Sequence, residues 1–185
     1  MNFCLWVTGL PGSGKSTIVK ELERLFGEAG LDFITLGLDQ IRTVLTPDPK
    51  YTDEEREIVY RSLVLMAQLL LEHSGKNVVI DATGNRRAFR NLARERIPEF
   101  GEIYIQCPLE ICQSREALRD GRSVEKNLYQ KAKAGQLEGA LPGISVPYEE
   151  PQDPEVLVPS DRLEPPESAK RIMDYVRSRW MEREQ

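Results

Sequence analysis

The chain has 185 residues, of which 40% are hydrophobic, and it carries 25 lysines and arginines against 30 aspartates and glutamates. The net charge of −5 argues against a protein that binds a nucleic-acid backbone or an anionic membrane surface. A single histidine, His73, excludes a cluster of several histidines around a metal, and the three cysteines lack metal-type spacing. Without a signal peptide or a membrane-length apolar run, residues 1–185 are predicted to form one cytoplasmic domain.

Short apolar runs alternate with longer stretches of helical period along the chain, which predicts an α/β fold with a parallel sheet between helices. The predicted strands are FCLWVT (3–8), FITL (33–36), NVVIDA (77–82), EIYIQC (102–107) and EVLV (155–158). Helices are predicted over 14–30, over 52–75 with Thr52 as its cap, and over 165–180. Several strands are apolar on both faces, so we expect helices to cover the sheet on both sides.

Residues 116–154 change the character of the chain, because they are rich in glycine, proline and charge. One short helix is predicted there, around VEKNLYQKAKA (124–134). In a compact domain, weak structure of this length is more often a functional lid or binding loop than a linker. The segment is therefore predicted to be a lid.

The segment TGLPGSGKST (8–17) follows the first predicted strand and precedes the first predicted helix. Its glycines, lysine and serine have the spacing of a P-loop, in which backbone N–H groups surround phosphate oxygens. Lys15 would reach the β- and γ-phosphates, and the Ser16 hydroxyl would bind Mg²⁺. The motif predicts the three-layer P-loop NTPase fold and a nucleoside triphosphate held by Gly9, Gly12, Ser13, Gly14, Lys15, Ser16 and Thr17.

The kind of reaction follows from what lies beyond this loop. The chain has no Asn-Lys-x-Asp sequence, so it lacks the guanine-reading motif of a GTPase, and it is short for a motor ATPase. Kinases of small molecules place an acid and arginines after the second strand and a mobile basic lid after the fourth. Both features are present, and the chain is therefore predicted to be a kinase.

Acids and arginines follow the predicted strands. Asp39 and Arg42 share one face of a short helix after the second strand, where Asp39 would accept the acceptor's hydroxyl proton or hold a Mg²⁺ water. Asp81 ends the third strand as a Walker B carboxylate would, beside the Mg²⁺ of Ser16. A helix cap and a turn aspartate are the alternatives. Arg87 and Arg90 fall on one helical face, and Arg56 and Arg61 lie on the helix before. Several arginines that converge on one cleft suit a polyanionic acceptor, although arginines on helix surfaces are commonly solvated.

With these residues in view, the chain resembles the adenylyl-sulfate kinase family, which transfers the γ-phosphate of ATP to the 3′-hydroxyl of adenosine 5′-phosphosulfate. The similar segments are GLPGSGKST (9–17), LDQIR (38–42), YTDEER (51–56), CPLEIC (107–112), KNLYQKAKAGQLEG (126–139) and PYEEPQDPEVLV (147–158). The resemblance implies that Asp39 is the catalytic carboxylate and that Arg42, Arg56 and Lys126 contact the substrate. Arg115 or Arg122 would cover ATP from the lid. The family often forms homodimers.

The chain departs from the family's pattern where the family reads its nucleotide substrate. Gly37 replaces an acid, Val59 replaces an asparagine, and the lid phenylalanine is absent, with Ala140 and Leu141 nearby. Nine extra residues, ALRDGRSVE (117–125), enlarge the lid. VVIDATGNRRAFR (78–90) resembles another branch of P-loop kinases, which acts on polynucleotide ends, sugars and other hydroxyl compounds. A kinase of another anionic nucleotide or phosphorylated metabolite, and a nucleotide-sensing module without turnover, therefore remain as alternatives.

Overall fold

The computed structural model describes residues 2–118, 128–135 and 141–182, and its centre is a sheet of five parallel strands. The strands are β1 (Cys4–Thr8), β2 (Phe33–Gly37), β3 (Asn77–Asp81), β4 (Phe100–Gln106) and β5 (Val156–Pro159). Their spatial order is β2-β3-β1-β4-β5, and every neighbouring pair is parallel. All five predicted strands are confirmed, with ends that differ by no more than two residues.

Helices connect the strands on both sides of the sheet. They are α1 (Lys15–Glu28), α2 (Leu38–Leu45), α3 (Asp53–His73), α4 (Arg87–Arg96), α5 (Leu109–Ala117), α6 (Leu128–Lys133) and α7 (Pro165–Val176), after which a π-helical turn covers Arg177–Met181. Thr52 caps α3 as predicted, because its hydroxyl accepts a hydrogen bond from the Glu55 amide at 3.2 Å. Among the described helices, none combines the length and the apolar content needed to cross a membrane.

Two apolar clusters form the core, one on each face of the sheet. Successive side chains of a strand point to opposite faces, so Leu5 and Val7 of β1 enter one cluster while Cys4 and Trp6 enter the other. Helices α1 and α7 cover the first face, and α3 and α4 cover the second. This arrangement explains why the β1 sequence is apolar throughout.

A third, smaller cluster lies apart from the sheet, and we call it the lid cluster. Its buried members are Cys107, Cys112, Tyr129 and Leu141. Leu10, from the loop after β1, packs against it. The short helix α6, which supplies Tyr129, confirms the described part of the helix predicted over 124–134, and residues 124–127 lie outside the described residues. The lid cluster therefore joins this part of the chain to the loop that follows β1.

Parallel strands end at one edge of the sheet, and this edge collects the predicted functional segments. Gly37 at the end of β2 is in register with Asp81 at the end of β3, and Asp81 is in register with Val7 of β1. The loop after β1, helix α2 and the segment after β3 are consequently neighbours. Ligands of open α/β sheets bind at this edge.

Candidate active site

The loop between β1 and α1 has a backbone that requires glycine. Gly9, Gly12 and Gly14 have φ of 154°, 80° and 94°. A Cβ on Gly12 would lie 2.3 Å from the carbonyl oxygen of Cys112, and a Cβ on Gly9 would lie 2.5 Å from that of Ile105. Both the conformation and the close backbone contacts therefore exclude larger residues at Gly9 and Gly12.

Lys15 opens α1, and its side chain folds back over the loop. Its Nζ donates hydrogen bonds to the carbonyl oxygens of Gly9 and Leu10, at 2.9 and 3.0 Å. The residue is only 9% exposed. A cation is thus held against the loop whose amides would bind phosphate.

A cavity of about 300 Å³ lies beside the loop and α1. The lining residues are Ser13, Gly14, Thr17, Ile18, Arg115 and the segment 160–165. Arg115 Nη2 donates to the carbonyl oxygen of Ser160 at 2.8 Å, which fixes the guanidinium at the cavity. Arg115 was predicted from the sequence, whereas residues 160–165 were not. Their signal is their position after β5, at the edge of the sheet that carries the loop.

The two predicted carboxylates both lie at this edge. Asp39 is exposed in the first turn of α2, and Asp81 is partly buried at the end of β3. Within the described residues, neither carboxylate has a hydrogen-bond or ion-pair partner. The cap of α2 is Gly37, with no side-chain hydrogen bond, so the alternative of Asp39 as a helix cap is wrong. Both carboxylates are therefore available to a ligand.

Two predicted arginines meet around Tyr51. Arg42 pairs with Glu55 at 2.9 Å, and its guanidinium carbon lies 5.2 Å from the centre of the Tyr51 ring. Arg56 Nε donates to the Tyr51 carbonyl oxygen at 3.3 Å. Arg56 is 6% exposed, and burial lowers the pKa of its guanidinium. Tyr51 has a φ of 53°, and it is a site residue that the sequence analysis did not single out.

The two arginines of α4 differ in burial. Arg90 was predicted to lie on the same helical face as Arg87, but it is 1% exposed. It donates hydrogen bonds to Glu102 Oε1 at 2.5 Å, to Glu149 O at 2.6 Å and to Gly84 O. Arg90 is therefore a structural residue. Arg87 is about 41% exposed, and its guanidinium donates to Glu150 O at 3.2 Å. No contact among the described residues joins Arg87 to Arg42 or Arg56.

Arg86, which was not predicted from the sequence, interacts with this group, whereas Arg87 has no such interaction among the described residues. It pairs with Asp53 at 2.7 Å, and its charge is one of the causes that lower the pKa of Arg56. Arg86 lies just before α4, so the helical spacing that relates Arg87 to Arg90 does not include it. The predicted Lys126, with Arg122 and Ala140, lies outside the described residues.

The family of this chain is decided by comparison with known proteins. The model of the Adenylylsulphate kinase family matches residues 1–159. The chain belongs to the adenylylsulphate kinase family. This match confirms the family resemblance, the α/β fold and the assignment to the kinases that the sequence predicted.

Individual members of the adenylylsulphate kinase family agree with this match. The adenylyl-sulfate kinase of Halothermothrix orenii is 37% identical over 172 residues, which cover 93% of this chain and 88% of that protein. The structure of the APS kinase of Mycobacterium tuberculosis in complex with AMPPNP and APS is 31% identical, with a TM-score of 0.80 and coverage of 95% and 97% of the two chains. A sugar kinase from a Janibacter species covers 95% and 96% at 23% identity and a TM-score of 0.67, which shows the shared fold alone.

Proposed function

We propose that this protein transfers the γ-phosphate of ATP to the 3′-hydroxyl of adenosine 5′-phosphosulfate. The observation that carries the proposal is that a phosphate loop and two neighbouring arginines, Arg42 and the buried Arg56, lie at one edge of the sheet, in a chain of the adenylylsulphate kinase family. The complex of the Mycobacterium tuberculosis relative with AMPPNP and APS supports both ligands.

The donor nucleotide would bind along the loop and α1. The loop amides and the positive end of α1 favour the triphosphate, and Lys15 lies where it can stabilise the transferring group. The cavity beside the loop would take the adenine, because it combines the apolar side chains of Ile18 and Leu163 with the guanidinium of Arg115.

Magnesium fits the donor set at this edge. The Ser16 hydroxyl and the carboxylates of Asp39 and Asp81 are hard oxygen ligands of the kind that Mg²⁺ prefers, together with phosphate oxygens. When bound, the ion would neutralise part of the phosphate charge. Among the described residues, no group of three acidic, cysteine or histidine side chains is placed to hold a metal ion.

The acceptor would lie against the arginines around Tyr51. Arg42 and Arg56 offer positive charge to the phosphosulfate, and Arg56, which is largely buried, interacts in a region of low dielectric. Asp39 precedes Arg42 by one turn of α2, so it can orient the 3′-hydroxyl and accept its proton. Positioning of this hydroxyl and charge stabilisation would supply most of the rate increase.

Asp39→Asn is expected to lower kcat about a hundredfold, with a smaller change in the KM for ATP, because it removes a proton acceptor near the acceptor hydroxyl. A coupled assay of ADP release measures both constants. The matched control is Asp48→Asn, an exposed aspartate beyond the end of α2. Equal kcat for Asp39→Asn and the control would exclude Asp39 from the reaction.

A second candidate keeps the chemistry and changes the acceptor to another anionic nucleotide. It is favoured by Val59, which is 0% exposed within the apolar core, and by Leu141, which is 5% exposed in the lid cluster. Neither side chain offers a polar group or an aromatic face to a base. Transfer from radiolabelled ATP to a panel of nucleotides distinguishes the candidates, since the proposed function requires the highest kcat/KM with adenosine 5′-phosphosulfate.

The one-domain organisation, the lid over 116–154, the homodimer and the cytoplasmic location remain predictions. So do the assigned roles of Arg87 and Lys126 as substrate contacts.

A further inference from the structure

Two hydroxyl groups from outside the phosphate loop contact its carbonyl oxygens. The Tyr129 hydroxyl of α6 donates to Pro11 O at 2.7 Å, and the Ser160 hydroxyl donates to Ser13 O, also at 2.7 Å. In each contact the two residues are more than a hundred positions apart in the sequence. The contacts therefore form only when α6 and the segment after β5 pack against the loop.

These contacts determine where the loop's N–H groups point. In a planar trans peptide the carbonyl and the next N–H point in opposite directions, and the described residues contain no cis peptide. The hydroxyl of Tyr129 holds Pro11 O towards the lid, so the N–H of Gly12 points to the other side. Ser160 acts likewise on the N–H of Gly14. Within the described part of the chain these two N–H groups have no acceptor, as expected for an anion-binding loop.

Tyr129 is held firmly enough to impose this orientation. Tyr129 is 2% exposed, and its ring lies in the lid cluster with Cys112 and Leu141. The first turn of α6 is fixed by the buried Glu116, whose Oε1 accepts from the Leu128 amide at 3.0 Å. Burial also raises the pKa of the Tyr129 phenol, so it stays protonated and can donate at neutral pH.

We propose that Tyr129 is a positioning residue of the phosphate loop: its hydrogen bond to Pro11 O aims the Gly12 N–H at the triphosphate and couples helix α6 to nucleotide affinity. The proposal rests on the proposed binding of ATP by this loop. It requires no contact between Tyr129 and the nucleotide itself.

Tyr129→Phe tests the proposal, because it removes the hydroxyl and keeps the ring in the lid cluster. Affinity for AMPPNP and for tripolyphosphate, which occupies only the phosphate loop, is expected to fall by a similar factor of about fivefold. Affinity for adenosine 5′-phosphosulfate is expected to stay within about twofold. Titration calorimetry measures all three ligands, and Tyr175→Phe, whose ring packs on Trp180 in the C-terminal region, is the matched control.

Amide hydrogen exchange of the peptide that spans residues 9–17 gives a readout without any ligand. Tyr129→Phe is expected to speed exchange there, whereas Tyr175→Phe is not. Glu116→Ala removes the hydrogen bond that fixes the first turn of α6, so it is also expected to speed exchange in the peptide 9–17. It serves as the test variant if Tyr129→Phe does not fold.

Two results would overturn the proposal: unchanged tripolyphosphate affinity in Tyr129→Phe, or an equal loss for all three ligands, which would indicate general loosening. A wild-type protein that fails to bind AMPPNP would instead refute the proposed function.

Discussion

Replacing Lys15 with alanine is expected to lower kcat/KM for phosphoryl transfer by about a thousandfold. The lysine ammonium lies within 3.0 Å of the Gly9 and Leu10 carbonyl oxygens, against the loop that would bind the triphosphate. Charge that develops on the transferring phosphoryl group would lose the stabilisation supplied by this ammonium group. Initial rates at saturating and limiting ATP separate the effect on kcat from the effect on KM.

Lys20→Ala is the control for this experiment. Lys20 is an exposed lysine of the same helix, so its loss changes the net charge equally without altering the loop. The control should retain wild-type rates. Comparable activity in the two variants would mean that the loop does not bind the transferring phosphate, and the proposed function would be wrong.

Arg90→Leu is expected to lower the free energy of unfolding by about 3–5 kcal/mol. The guanidinium is 1% exposed and donates to the buried Glu102 carboxylate and to the carbonyl oxygens of Gly84 and Glu149. The leucine variant leaves Glu102 with only a longer contact, 3.4 Å to Arg94. The buried carboxylate then loses its shorter hydrogen bond, and the two carbonyl groups lose their hydrogen bonds to Arg90.

Urea denaturation followed by circular dichroism measures this change. Arg61→Leu is the matched control, because Arg61 pairs with Glu57 at 2.6 Å on the exposed surface of α3. Loss of an exposed pair is expected to cost about 0.5 kcal/mol or less. Similar midpoints for the two variants would show that the network around Arg90 contributes little to stability.

Local patterns in the sequence predicted most of the fold. The apolar runs predicted all five strands, and Thr52 predicted the start of α3. Both signals are patterns of residues that are adjacent in the sequence. The glycines of the phosphate loop were also recognised locally. Their spacing reflects a backbone that admits no side chain at Gly9 or Gly12.

Contacts between distant residues account for what the sequence did not predict. Arg90 follows Arg87 by three residues, so helical spacing places both on one face of α4. Only the partners of Arg90, Glu102 and Glu149, distinguish the buried arginine from the exposed one. Arg86 and Tyr51 lie outside the periodic segments, so no spacing rule selects them. The donor cavity requires residues 160–165 to approach α1, which depends on the order of the strands in the sheet.

The hydrogen bond between Glu116 and the Leu128 amide also bears on how this family can diversify. It brings together the two ends of the eleven-residue stretch 117–127, which contains all nine residues, 117–125, that were predicted to enlarge the lid. The entropy of closing a loop rises only by about 0.6 kcal/mol for each doubling of its length. Insertions and deletions between these two anchor points can therefore accumulate during evolution while α6 keeps its place against the phosphate loop.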